Sequence, residues 1–183
     1  VNDFEKWVDN YALPNGINNN LIAFLYFKRE YFYMVDTNSA DYAFPTPRSI
    51  ERADILTKGE ENLDDIYNYA ASAVGKNFAG FYIEFLKLTS KLPVDEILKK
   101  PTLMKEYVND IEKQCALAIA FVDKFKQNKK LFDNVLECVM FMNTEIGAFC
   151  SKAVKSVDDN WFSTNIHKAK NFDVWYKKFK EMW

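Results

Sequence analysis

The run MKEYVNDIEKQCALAIAFVDKF, residues 104–125, decides the fold. Its apolar residues Met104, Val108, Ile111, Cys115, Ala118, Val122 and Phe125 return every three or four positions, which puts them on one stripe of a helix. After Gln127-Asn128-Lys129 the same period resumes in Leu131, Val135, Val139, Met142, Ile146, Phe149 and Ala153. Two long helices with a short polar break between them should pack antiparallel as a hairpin. Beyond a polar stretch from Ser156 to Asn160, a last helix is expected to carry Phe172, Trp175, Tyr176 and Phe179 on one side and a solvated face of Lys177, Lys178 and Lys180 on another.

Toward the N-terminus the texture stays helical. Only 5 Gly and 5 Pro punctuate 183 residues, so strands have little room and the expected class is all-α. Asp3 can cap a helix bearing Phe4, Trp7, Val8 and Tyr11, and Pro14-Asn15-Gly16 forces a turn into a second helix through Leu21, Phe24, Leu25 and Phe27. Tyr31 to Phe44, with Asp36-Thr37-Asn38-Ser39 inside it, reads as a loop. A third helix opens at Thr46-Pro47 and closes at Gly59. Asn62 caps a fourth that ends at Gly75, and Phe78, Phe81, Tyr82, Phe85 and Leu86 line a fifth that stops before Pro93. The organisation expected is a helical bundle over residues 1–92, then a helical extension over 93–183 made of the long hairpin and the C-terminal helix, with the boundary near Leu92 to Pro101.

Lys and Arg total 24 against 26 Asp and Glu, a formal charge of -2, so no global field favours a nucleic-acid backbone. No apolar run reaches the roughly 18 residues of a membrane span, and Val1-Asn2-Asp3-Phe4-Glu5 lacks a signal-peptide shape. Cys115, Cys138 and Cys150 are odd in number, lack CxxC spacing and sit in apolar helical pattern, which points to core residues and a reducing cytoplasm. The chain opens on Val1 and enters helical pattern almost at once, as a piece of a longer protein would.

Most chemistry is excluded by what is missing. His167 is the single histidine and has no HxxxH or ExxH partner, so a bundle metal site lacks nitrogen ligands, and Ser or Cys nucleophiles lack a base. Neither GxxxxGK[ST] nor GxGxxG occurs. No catalytic residue and no metal ligand is nominated. The one segment with chemical character is Phe44-Pro45-Thr46-Pro47-Arg48-Ser49-Ile50-Glu51-Arg52. Arginine is scarce, confined to Arg29, Arg48 and Arg52, and Arg48 falls in a first helical turn, where the dipole disfavours a cation by roughly 0.3–1 kcal/mol. Free amides beside a guanidinium make an anion site; the plainer alternative is a surface pair of Arg48 with Glu51 or Asp54.

The order of landmarks Trp7, Pro47-Arg48-Ser49, Val74-Gly75 with Phe78, and Leu92-Pro93 resembles the C-terminal half of MoxR-like AAA+ ATPases, over about Phe4 to Lys100. The resemblance implies that residues 1–92 are a lid-like subdomain, that 93–183 extend it, and that Arg48 matches the sensor-2 arginine, which reaches the γ-phosphate of ATP held with Mg on the core domain. Ile50 stands where that family often has tryptophan. The phosphate-loop lysine, the Walker-B acid and the arginine finger are absent and, on this reading, lie upstream of Val1, so the chain alone is not expected to hydrolyse ATP. The partners implied are the upstream AAA+ core, neighbouring subunits and a protein client. The competing expectation is a free-standing all-α adaptor that binds proteins and never meets nucleotide.

Overall fold

The computed structural model describes residues 3–34 and 43–183, and among them every regular element is helical. Of the loop expected from Tyr31 to Phe44, Tyr31 and Phe32 instead belong to a 3-10 turn, and residues 35–42, with Asp36-Thr37-Asn38-Ser39, lie outside the described residues. The chain divides into two compact units, Val1–Ser90 and Lys91–Trp183.

In the first unit α1 (Asp3–Trp7) runs into a π-helical turn at Val8–Ala12, and the turn at Pro14 to Gly16 leads to α2 (Asn19–Phe27), which Asn18 caps by accepting from the Asn20 amide. A 3-10 turn follows at Arg29–Phe32, and then come α3 (Pro47–Thr57), α4 (Leu63–Val74) and α5 (Lys76–Thr89). Asn62 caps α4 by accepting from the Asp64 and Asp65 amides, and Gly75 joins α4 to α5 at φ +89, a left-handed angle that side chains resist. Phe24 centres this unit. Its ring is wholly buried and lies 5.0 Å from Phe78, 5.5 Å from Tyr82 and 5.9 Å from Phe85, so α2 is held against α5 by aromatic packing.

The second unit holds α6 (Val94–Lys99), a 3-10 segment at Pro101–Tyr107, α7 (Ile111–Gln127), a 3-10 turn at Lys129–Leu131, α8 (Phe132–Val139), α9 (Thr144–Val157), α10 (Asp159–Asn165), a 3-10 turn at Ile166–Lys168 and α11 (Phe172–Phe179). The expected long hairpin is corrected at both arms. The first helix begins at Ile111, because Asp110 accepts from the Lys113 amide and caps it there. The second is cut between Val139 and Thr144, where Asn143 caps α9 by accepting from the Glu145 amide. α7 is also no one-sided stripe: every residue from Gln114 to Val122 is buried, so it is the unit's central helix.

The polar break expected from Ser156 to Asn160 narrows to Asp158, and an additional helix, α10, follows it before the last one, capped by Asp158 through the Trp161 amide at 3.0 Å. The solvated lysine face of α11 needs correction at one position. Lys178 turns inward, and its Nζ donates to the carbonyls of Met140 and Met142 at 2.7 and 2.8 Å, satisfying chain left unpaired where the α8 helix stops. No helix among the described residues is long and apolar enough to cross a membrane.

Candidate functional site

Arg48 stands in the first turn of α3, and the sequence around it explains why the helix starts where it does. Thr46 Oγ1 accepts from the Ser49 amide at 3.2 Å while Ser49 Oγ accepts from the Thr46 amide at 2.8 Å, a reciprocal cap. Ser49 Oγ also donates to the Phe44 carbonyl at 2.6 Å, tying the segment that leads into α3 to its first turn. Pro47 has no amide proton to offer, and the Ile50 amide reaches Thr46 O at 2.9 Å. The free amides expected at this helix start are therefore mostly used, leaving the Arg48 N–H as the one without a capping partner among the described residues. An anion here would be held by guanidinium chemistry, with little help from the helix end.

The helix presents two chemically opposed faces. Ile50 and Ala53 are buried in the first unit, whereas Arg48, Arg52, Ile55 and Leu56 share the outward arc, Ile55 being 65% exposed. The carboxylates that might have neutralised the arginines are engaged elsewhere. Glu51 accepts from the Tyr11 hydroxyl, and Asp54 accepts from the Asn18 amide at 2.7 Å, so α3 is stitched to the turn after α1. Burial raises the Asp54 carboxyl above its ordinary range, against the pull of that amide and of Lys58. The glutamate likewise raises the Tyr11 hydroxyl through their hydrogen bond. Among the described residues no carboxylate forms an ion pair with Arg48 or Arg52.

No protein-family model, curated protein or solved structure matches this chain.

Elsewhere the reactive residue types are in structural positions. His167 is exposed in a 3-10 turn with its ring against Phe172 at 4.7 Å. The three cysteines are buried and form no disulfide; burial pushes the Cys138 thiol up to about 12, and it also raises that of Cys150, which donates to Ala118 O at 3.4 Å. Among the described residues no three His, Cys, Asp or Glu side chains are grouped to hold a metal ion. Sequence reasoning passed over two buried polar residues, Gln114 and Ser151, because each sits inside an apolar period. Ser151 Oγ donates to Gly147 O at 2.9 Å and accepts from the Trp175 indole at 3.0 Å.

Proposed function

We propose that the first unit is the nucleotide-responsive lid of a MoxR-like AAA+ ATPase and that the second unit extends it, so that the whole serves ATP-driven protein remodelling in the cytoplasm. The observation that carries this reading is the exposed face of α3, on which Arg48 and Arg52 stand one turn apart with no carboxylate partner among the described residues. Like charges at that spacing cost about 0.2–0.5 kcal/mol, and a cation in the first turn costs roughly 0.3–1 kcal/mol more. An anion arriving from outside the unit offsets both. A guanidinium suits phosphate oxygens because its paired N–H groups match them in a plane. The exposed Ile55 and Leu56 beside it give a docking core domain apolar area to cover.

In this arrangement a core domain would hold ATP with Mg, and the Arg48 guanidinium would offset negative charge on the γ-phosphate during transfer. Closure of the lid then depends on the presence of that phosphate, which is how the nucleotide state would reach the extension, neighbouring subunits and a client.

Two measurements test it. Reading the coding region upstream of Val1 is expected to reveal GxxxxGK[ST] following a strand within one or two domain lengths. In the protein that includes that region, Arg48→Ala is expected to cut kcat by about tenfold or more with the fold retained. A start codon directly before Val1, or an unchanged ATPase rate, removes the motor reading and leaves an all-α interaction module whose arginines meet an acidic protein surface.

A further inference from the structure

The second unit contains a groove of about 210 Å³ between the start of α8, the turn before it, α10 and the turn after it. Two aromatic residues line it, Phe132 buried and Trp161 half-buried, and their rings meet edge to face at 5.1 Å. Three lysines line the same groove, Lys129, Lys130 and Lys168. Lys129 is committed, since its ammonium pairs with Asp158 and lies 5.6 Å from the Trp161 ring. Lys130 and Lys168 are exposed and have no carboxylate partner among the described residues. Asp133, the acid on the groove wall, accepts from the Lys170 backbone amide at 3.2 Å. The wider field has the same sign. Residues 91–183 hold 16 lysines and no arginine against 13 acids.

Ammonium groups that line one groove repel one another until an anion enters between them. Lysine is a point charge that binds phosphate without demanding the planar match arginine needs, and the half-buried Trp161 indole favours a flat partner. The volume lies below the roughly 300 Å³ at which drug-sized pockets begin, which suits one ring and one anionic group. We propose that this groove binds a phosphate monoester carried on a planar ring, with the ring against the Trp161 indole and the phosphate between Lys130 and Lys168. The open shape and the solvated lysines make it a weak site, with Kd on the order of 1 mM at low salt, and affinity falls as salt is added. This site is independent of the α3 face.

The test is a titration of the whole chain with phenyl phosphate, adenosine monophosphate and inorganic phosphate, following the indole N–H signal of Trp161 by NMR, assigned with Trp161→Phe. Both ring phosphates are expected to give saturable shifts, with inorganic phosphate about fivefold weaker or more. The Trp175 indole, held by Ser151, should stay still and report that the fold is intact. The double variant Lys130→Ala, Lys168→Ala is expected to weaken binding about tenfold, and Asp133→Asn to tighten it by about twofold. Preference for the nucleotide would assign the source as a nucleotide, and preference for phenyl phosphate a phosphorylated tyrosine. No saturable shift below about 10 mM, equal binding of inorganic phosphate, or an unaltered response in the double variant would each overturn the proposal.

Discussion

Gln114 is fully buried, and its side chain is used at both ends. Its Nε2 donates to the carbonyls of Tyr107 and Val108 at 2.9 Å, and its Oε1 accepts from the Asn143 amide at 2.6 Å. One side chain thus pins the 3-10 segment before α7 and the break before α9. Gln114→Leu removes all three contacts while keeping the volume, so it should cost about 1–3 kcal/mol in a urea melt. No loss would mean that water replaces them. Asp158 is the N-cap of α10. Its hydrogen bond from Lys129, then that from the Trp161 amide, hold its carboxyl below the ordinary range. A lowered folded pKa contributes stability that is present above the unfolded value near 4 and is lost as pH falls through the folded one. Asp158→Asn keeps the cap and removes the charge, so the stability difference between the two proteins should shrink as pH falls below about 4. A difference that stays constant down to pH 2 would show that the Lys129 pair contributes nothing.

Two glycines show how an element's surroundings override its propensity. Gly80 lies within α5, and a Cβ built there meets nothing within 4 Å. Gly147 lies within α9, and its Cβ would stand 2.8 Å from Phe179 Cζ and 3.0 Å from the Val139 carbonyl. Alanine is the better helix former by up to about 1 kcal/mol at either place. Gly80→Ala should therefore raise the thermal midpoint. Gly147→Ala should lower it, with a net loss of about 1–2 kcal/mol, because Phe179 has no exposed surface and a backbone carbonyl cannot step aside. Equal shifts in the two variants would mean that the Phe179 contact relaxes freely. The same close approach ties α11 to α9, and it works with Lys178, whose ammonium is pulled below its usual range by burial.

At the scale of the molecule, the division at Ser90 and Lys91 places all three cysteines in the second unit. Produced alone, residues 91–183 should protect all three thiols from a disulfide reagent near pH 8 until denaturant is added, since they are buried and Cys138 is pushed up to about 12. Rapid labelling without denaturant would show that this unit does not hold its core by itself. The all-α class, the helix starts at Thr46 and Asn62 and the stop at Gly75 were legible in the sequence, because each rests on contacts within a few residues of itself. So was the place of Arg48 in a first helical turn, which follows from Thr46 and Pro47. The break of the second long helix was not legible. Its apolar period runs unbroken through Val139, Met142 and Ile146, and the groups that satisfy the cut ends, Gln114 and Lys178, come from 29 and 36 residues away. Nor could the sequence say that Glu51 and Asp54 would be taken up by Tyr11 and Asn18, since those partners stand 40 and 36 residues distant. Local hydrogen bonding and periodicity thus determined which segments are helices. Which carboxylates remain to meet the arginines, and where a long helix must stop, depend on packing between distant segments and were decided only by the tertiary structure.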